Sequence, residues 1–329
     1  MKEITFEKER AFLSPYAKKS FESAGRERPE KPCNMRTDFQ RDRDRIIYSK
    51  SFLRLKNKTQ VFFAPDGDHY MSRLTHTLDV SQIARSLARC LQLNEDLTEA
   101  IALGHDLGHT PFGHIGERVL NTLSPTGFKH SEQSLRVVDV LEKDGKGLNL
   151  TFEVRDGILN HTKRGTPATL EGAAVSLADR IAYINHDIED AIRAGYLTEE
   201  ELPKDAVRIF GGHTSERINS AIVDIYEESK GQNYVRMSEK TGKALEELRS
   251  FMFEHVYERA NKLIQESAER MLTNLYTYFL GRPEELPELY RRTAGTDVPR
   301  AVCDYLSSMT DKYAIGVFNR LFVPREGSV

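Results

Sequence analysis

The chain has 329 residues, with 47 Lys and Arg against 50 Asp and Glu, so its net charge is −3. This near balance excludes the strong basic bias of a dedicated nucleic-acid coat protein, although it leaves room for a local basic patch. The 39% hydrophobic and 29% charged content is typical of a soluble globular protein, and no apolar run approaches the roughly 18 residues of a membrane span. The three cysteines lie far apart without CxxC spacing. We therefore expect neither a disulfide framework nor a Cys-based zinc site, and a cytoplasmic location.

Near the N-terminus, residues 36–45 alternate arginines with acidic residues, in the order RTDFQRDRDR. One interpretation is the solvated start of a helix held by local ion pairs. The other is an arginine arm that docks on anions or on a neighbouring subunit. The charge pattern alone leaves both open.

Further along the chain, apolar residues recur at helical spacing. His76, Val80, Ile83 and Leu87, for example, fall on one face at steps of four, three and four. The pattern predicts helices over 71–93, 96–107, 132–142, 153–161, 170–194 and 242–280. No alternation of strands with helices and no internal repeat is present, so we expect an all-α fold.

The predicted 242–280 tract is the longest of these, since it contains no proline and no glycine after Gly242. Its apolar side comprises Leu245, Leu248, Met252, Leu263, Met271 and Leu275. That is more apolar surface than an exposed appendage should leave uncovered. The tract therefore favours a homo-oligomer.

Five of the ten histidines fall within 55 positions: His76, His105, His109, His114 and His130. Asp106 and Glu117 accompany them. A lone histidine on an apolar helix face is more often a satisfied core residue than a ligand. Here, however, a His-Asp doublet ends an apolar helix, and an aspartate buried beside two imidazoles is costly unless a cation compensates its charge. The cluster therefore favours a divalent metal.

His76, His105 and Asp106 provide three ligands, and the best candidate for a fourth is Asp179. Asp179 shares a stripe with Tyr183 and Asp187, spaced i, i+4, i+8, that lies away from the Ile/Leu face of the 170–194 helix. A solvated polar face would show the same periodicity, and spacing alone favours that interpretation over a fourth ligand.

The set His76, His105, Asp106 and Asp179 resembles the ligand pattern of HD-domain metal phosphohydrolases. More narrowly, the chain resembles the deoxynucleoside triphosphate triphosphohydrolase (dGTPase-like) family. The matching segments occur in family order and span most of the chain: 36–45, 52–62, 73–76, 105–117, 130–133, 177–183 with Asp187, and 304–311.

The resemblance implies one dGTPase-like domain over 1–329, with an HD metal-binding core at about 70–195 and a helical C-terminal region at about 205–329. It also implies one divalent metal, and two His with two Asp suit Mn²⁺, Mg²⁺, Co²⁺, Fe²⁺ or Ni²⁺. The implied reaction is hydrolysis of dNTPs, dGTP among them, to deoxynucleoside and inorganic triphosphate. Family members commonly assemble as tetramers or hexamers, and the resemblance leaves open a dNTP effector or single-stranded DNA as a regulatory partner.

By matching position, the resemblance assigns His114 as the acid that protonates the leaving 5′-oxygen or as an equivalent catalytic residue, with Glu117 orienting and polarising it. His109 and His130 are implied phosphate contacts that neutralise the triphosphate, with His109 counted among the catalytic residues. None of His161, His186 and His213 is expected to be a ligand.

The resemblance also implies substrate contacts. Gln60 and Asp187 would bind the deoxyribose 3′-hydroxyl, and Tyr183 would lie against the sugar where a 2′-hydroxyl has little space. Arg73 and Arg180 would bind phosphates, because a guanidinium suits bidentate phosphate binding. For Arg180, which stands where some relatives have Lys, an ordinary ion pair is the alternative.

Two other functions remain open. One is an HD phosphohydrolase that acts on a nucleoside monophosphate or a cyclic nucleotide. The other is a regulator that binds nucleotide or single-stranded DNA, for which the arginine-rich segment 36–45 is the supporting feature.

Overall fold

The computed structural model describes residues 2–60, 71–257 and 262–324, with residues 263 and 264 described by their backbone only. Within these ranges all regular secondary structure is helical, and the β-pairing is limited to two isolated bridges, Arg26 with Thr151 and Thr59 with Ser72. The predicted all-α class is therefore confirmed. None of the described helices is long and apolar enough to cross a membrane.

The α-helices, in chain order, are α1 (Lys2–Phe12), α2 (Asp38–Ile47), α3 (Lys50–Arg54), α4 (Arg73–Cys90), α5 (Glu95–Gly104), α6 (Gly113–Leu123), α7 (His130–Arg136), the single turn α8 (Glu142–Gly145), α9 (Phe152–Asn160), α10 (Leu170–Arg193), α11 (Lys204–Phe210), α12 (Thr214–Ser229), α13 (Glu239–Met252), α14 (Lys262–Gly281), α15 (Glu288–Ala294), α16 (Val298–Ser307) and α17 (Asp311–Phe322). Short 3₁₀ turns lie at Ser20–Glu22, Leu55–Asn57, Glu199–Glu201 and Pro283–Glu285, and π-helical segments at Val137–Leu141 and Phe253–Tyr257.

Helices α4, α5 and α10 pack on one another and form the frame of the site, with α9 against α5 and α10. Val80, Ile83 and Leu87 of α4 are buried, as the helical spacing predicts. A capping box at Ser72 begins α4 by satisfying its first free N–H groups. The core of these helices thus fixes which polar side chains face one another.

Helix α5 ends at Gly104, three residues before the predicted boundary at 107. The difference matters because His105 and Asp106 then lie in the turn that follows the helix rather than in its last turn. Gly108, in the same turn, is packed so closely on α7 that an added Cβ would lie 2.2 Å from the backbone nitrogen of Ser134. The turn that carries the doublet is therefore held by backbone packing.

The 242–280 tract is not one uniform helix. Helix α13 ends at Met252 and continues as the π-helical segment Phe253–Tyr257, whereas α14 begins at Lys262. Leu245 and Leu248 are buried where α13 packs on α10 and α11, and Leu275 is buried where α14 packs on α6 and α16. The side chain of Leu263 lies outside the described residues. The chain itself covers the buried part of this apolar side, which therefore does not indicate assembly.

The arginines of segment 36–45 pair with acidic residues of the same chain. Arg36 lies 2.5 Å from Asp44, and Arg43 lies 3.2 Å from Asp96 and from Glu99. Arg41 and Arg45 both pair with Glu30. The interpretation as local ion pairs is therefore the one that fits the structure. These ion pairs give no support to an arginine arm, the feature on which the DNA-binding regulator rested.

Candidate active site

Four side chains from three segments converge at the predicted metal centre: His76 in the first turns of α4, His105 and Asp106 in the turn after α5, and Asp179 in the middle of α10. His76 Nε2 lies 3.1 Å from Asp179 Oδ1 and 3.9 Å from Asp106 Oδ2. His105 Nε2 lies 3.5 Å from Asp106 Oδ2 and 3.8 Å from Asp179 Oδ1. Two imidazole nitrogens and two carboxylates thus face a common point.

The donor set fits a divalent cation. His105 donates its Nδ1–H to the carbonyl of Ala102 at 2.6 Å, which fixes the tautomer and leaves Nε2 with a free lone pair. That Nε2 atom is buried and has no hydrogen-bond partner. Ligand atoms of His76, His105 and Asp106 all lie within 4.8 Å of one another. A buried imidazole lone pair beside carboxylates is an arrangement that a metal ion satisfies.

The charges of these groups also suit metal binding. Burial would raise the pKa of Asp106, but the charges of His105 and Arg73 outweigh it and hold this pKa well below its usual range. Burial opposes ionisation of Asp179 too, yet the hydrogen bond with His76 lowers its pKa. Burial lowers the pKa of His76. Anionic carboxylates and a neutral imidazole are the forms that coordinate a metal.

Beside this centre, His114, Glu117 and His130 form a hydrogen-bonded group, here called the relay. His114 Nδ1 lies 3.3 Å from Glu117 Oε2, and the side chain of His114 is 71% exposed. Glu117 Oε1 accepts hydrogen bonds from the backbone N–H and from Nδ1 of His130, both at 2.8 Å. Glu117 therefore connects an exposed imidazole to a half-buried one.

Electrostatic interactions within the relay favour a negative charge on Glu117 and a positive charge on His130. Burial would raise the pKa of Glu117, but the hydrogen bonds of His114 and His130 lower it far below its usual range. Burial lowers the pKa of His130, but the bond to Glu117 outweighs this and raises it. The relay thus consists of an anionic Glu117 and a His130 that favours its protonated form.

His109 lies between the metal centre and the relay. Its ring stacks on that of His130 at 4.7 Å and meets that of His114 at 5.3 Å. Burial, and then the charge of Arg73, lower the pKa of His109 well below its usual range. His109 therefore favours its neutral form, which suits hydrogen bonding.

Sequence reasoning missed two histidines of the site. The ring of His161, at the end of α9, lies 5.0 Å from that of His105, and its Nε2 lies 3.2 Å from His130 Nε2. Burial, and then the charges of His105 and His130, lower the pKa of His161 to about 4. His161 follows an apolar helix just as His105 does, and that shared placement was the available signal. His186 packs on His76, with ring centroids 5.8 Å apart, whereas His213 is an exposed N-cap.

Arg73, the predicted phosphate contact, lies at the metal centre, and its contacts here are with protein groups. Arg73 is buried, and its guanidinium donates to Asp106 Oδ2 and, at 3.2 Å, to the backbone carbonyl of Gln60. Because Arg73 begins α4 directly opposite the turn after α5, it reaches the metal-site carboxylate. In this structure its charge therefore compensates Asp106.

The other predicted substrate residues line α10 and the segment before α4. Tyr183 is half-buried, Asp187 is buried, and Gln60 is buried with its Oε1 atom unbonded. The guanidinium of Arg180 lies 4.0 Å from the carboxylate of Glu246, which makes this ion pair a loose one. Sequence reasoning did not identify Tyr257, whose hydroxyl donates to Asp187.

The Asp187 carboxyl should make stability depend on pH. Burial raises its pKa to about 7, although the Tyr257 hydrogen bond opposes the shift. A carboxyl with a higher pKa in the folded than in the unfolded chain destabilises the fold increasingly as pH rises from about 4 to about 7. The free energy of unfolding of Asp187→Asn, taken relative to that of the wild type, should therefore be about 2 kcal/mol higher at about pH 8 than at about pH 5. Urea unfolding measures this, with the exposed Asp205→Asn as control, and a pH-independent difference for Asp187→Asn would contradict it.

Comparison with known proteins places the chain in a family. It matches the HD domain over residues 73–184 and the phosphohydrolase-associated domain over residues 235–320. It is 56% identical to a deoxyguanosinetriphosphate triphosphohydrolase-like protein of Caldanaerobacter subterraneus, over 98% of this chain and 96% of the relative. A relative with the same name from Clostridium perfringens is 50% identical over 96% of this chain and 96% of its own length. Another, from Bordetella pertussis, is 40% identical over 94% of this chain and 96% of its own length.

A solved phosphohydrolase from Bacteroides thetaiotaomicron shares the fold, with a TM-score of 0.52 at 19% identity over 84% of this chain and 68% of its own. The resemblance is thereby confirmed: the chain carries an HD domain and belongs to the family of deoxyguanosinetriphosphate triphosphohydrolase-like proteins.

Proposed function

We propose that this enzyme hydrolyses deoxynucleoside triphosphates, dGTP among them, to deoxynucleoside and inorganic triphosphate. The observation that carries the proposal is the relay lying directly beside a His/Asp cluster that could hold one divalent metal. Attack on the α-phosphorus expels the nucleoside 5′-oxygen, which is a poor leaving group and needs a proton donor. The names of the relatives support a deoxynucleotide substrate.

In this proposal His76, His105, Asp106 and Asp179 hold the metal, with Mn²⁺, Mg²⁺, Co²⁺, Fe²⁺ and Ni²⁺ as candidates. When bound, such a metal supplies Lewis acidity toward a phosphoryl oxygen and toward the attacking water. The protein contributes a prepared site, because both carboxylates are already anionic and His105 is held in the ligating tautomer.

His114 is the proposed proton donor. Glu117 holds its Nδ1, which leaves Nε2 as the ring nitrogen that can carry a proton to the 5′-oxygen. The exposure of His114 allows contact with substrate and re-protonation from solvent after each turnover. Glu117 thus acts by orienting the ring, which is consistent with its second bond to His130.

The triphosphate chain requires positive charge and hydrogen-bond donors. His130 provides charge because Glu117 favours its protonated form. Neutral His109, stacked on His130, provides a hydrogen bond. Arg180, one residue from Asp179 and only loosely paired with Glu246, provides a guanidinium for the phosphates.

Sugar selectivity should depend on Tyr183. If Gln60 and Asp187 hold the 3′-hydroxyl while Tyr183 crowds the 2′ position, an added hydroxyl clashes or loses hydration at a cost of roughly 1–3 kcal/mol. The specificity constant for dGTP should then exceed that for GTP about ten- to a hundredfold, and Tyr183→Ala should reduce this ratio. Arg180→Ala is the matched control, since it should weaken both substrates alike. Equal use of dGTP and GTP by the wild type would favour a general HD phosphohydrolase.

We also propose a homo-oligomer, tetramer or hexamer, in the cytoplasm. The family resemblance alone supports assembly. Other helices of the same chain already cover the buried side chains of α13 and α14, so these side chains do not require a partner subunit. Light scattering at micromolar concentration should give a multiple of the 37.6 kDa chain mass. A fully active monomer would contradict this. Scattering repeated with each dNTP and with single-stranded DNA would detect an effector that changes the assembly.

The experiment for the proposed reaction is product analysis. Each dNTP is incubated with the protein and Mn²⁺, and the anions are separated by ion exchange. Triphosphate together with an unphosphorylated nucleoside is the expected result. Hydrolysis of a nucleoside monophosphate or cyclic nucleotide instead would replace the substrate class, and binding without turnover would favour a regulator.

A further inference from the structure

A buried lysine that the proposed reaction does not use lies beneath the segment carrying His109 and His114. Lys58 is 2% exposed, and its side-chain nitrogen donates to the backbone carbonyls of His109 and, at 2.7 Å, of Ser307. Ser307 is the last residue of α16, in the C-terminal region. A single nitrogen atom therefore connects that region to the residue that stacks on His130.

A carboxylate makes the complementary connection four residues later in the chain. Asp311, the first residue of α17, accepts hydrogen bonds from the backbone N–H of Phe112 at 3.0 Å and from that of Thr59 at 2.8 Å. The Thr59 hydroxyl also donates to it. Lys58 thus binds the 109–113 loop at His109, and Asp311, which Thr59 also contacts, binds it at Phe112.

The loop needs such support because its backbone is unusual. Phe112 and Gly113, the two residues before His114, both have left-handed conformations, with φ of 61° and 56°. A left-handed Phe is unfavourable unless its surroundings impose it. Gly113 also passes so close to Gln60 that an added Cβ would lie 2.8 Å from its carbonyl oxygen. The direction in which His114 leaves the loop is therefore set by these contacts.

We propose that Lys58 and Asp311 form a clasp that positions His109 and His114 for the proposed reaction. Both are positioning residues, because each acts through the loop backbone: Lys58 at the carbonyl of His109 and Asp311 at the N–H of Phe112. The proposal rests on the proposed function, and it gives the C-terminal region a positioning role in catalysis, exerted through the loop backbone. A displacement of about 1 Å at a reacting group can lower a rate by about a hundredfold.

The test uses Lys58→Met, which keeps the length of the side chain without its donors, and Asp311→Asn, which keeps its shape with one acceptor oxygen. Val317→Ala is the matched control, because Val317 is buried in α17, the helix that Asp311 begins, and is not one of the two clasp residues. Steady-state kinetics with dGTP and Mn²⁺ gives kcat and KM. Hydrogen exchange over residues 109–115 reports on the loop independently of activity.

We expect both clasp variants to lower kcat at least about tenfold with KM changed less than about threefold. Two of the three proposed sugar contacts, Tyr183 and Asp187, lie on α10 outside the clasp, and Gln60 alone adjoins it. Metal content should persist, and loop exchange should accelerate in Asp311→Asn but not in Val317→Ala. A kcat within about twofold of the control in both variants, or unchanged loop exchange, would overturn the clasp. A wild-type enzyme that hydrolyses no nucleotide would instead refute the proposed function, and loop exchange would then decide the clasp alone.

Discussion

Replacing His114 by alanine should lower kcat at least about a hundredfold, the usual size of an acid–base contribution. The reason is the loss of the group that protonates the 5′-oxygen. Metal content should not change, because His114 contacts Glu117 and the rings of His109 and His130 and is not one of the four assigned ligands. Steady-state kinetics and elemental analysis of the same preparation measure both quantities.

The matched control is His213→Ala. His213 is equally exposed, at 70% against 71% for His114, and also lies near a glutamate, Glu199, but it is far from the site in the chain and caps α12. Its replacement should leave kcat unchanged. Loss of metal in His114→Ala would place His114 among the ligands and displace one of the four assigned residues.

Replacing Asp106 by alanine should abolish both metal binding and activity while leaving most of the helical signal. Asp106 provides a carboxylate to the centre and is the buried partner of Arg73. Its removal leaves a buried guanidinium without its carboxylate, so the variant should also be less stable by about 3 kcal/mol or more. Elemental analysis, circular dichroism and turnover on one preparation test these effects together.

Loss of stability and loss of metal are separated by Asp304→Ala. Asp304 is a fully buried carboxylate paired with an arginine, Arg136, as Asp106 is paired with Arg73, but it lies outside the metal centre. Its replacement should destabilise the fold yet leave the metal bound. An Asp106→Ala protein that retains a full complement of metal would contradict the assignment.

Local sequence signals were enough to predict the frame of the site. The steps of four and three through His76, Val80 and Ile83 predicted α4, and those side chains are buried as expected. The doublet at the end of an apolar helix predicted that His105 and Asp106 lie together in the interior. Both inferences depend on residues within one or two turns of each other, where periodicity is informative.

Contacts between distant segments could not be predicted in this way. The pairing of Tyr257 with Asp187 joins residues 70 positions apart, and that of His161 with His130 joins residues 31 positions apart. The engagement of Arg73 with Asp106 likewise depends on how α4 and α5 pack. The uniform composition of 242–280 also hid the change to a π-helical segment at Phe253.

In the proposed reaction, this site directs water to the α-phosphorus of a deoxynucleoside triphosphate. Hydrolysis of dGTP in ¹⁸O-labelled water with Mn²⁺, followed by mass spectrometry of the products, tests it most directly. We expect unlabelled deoxyguanosine and triphosphate that carries one ¹⁸O atom. Label in deoxyguanosine, or the release of dGMP with pyrophosphate, would contradict the proposed reaction.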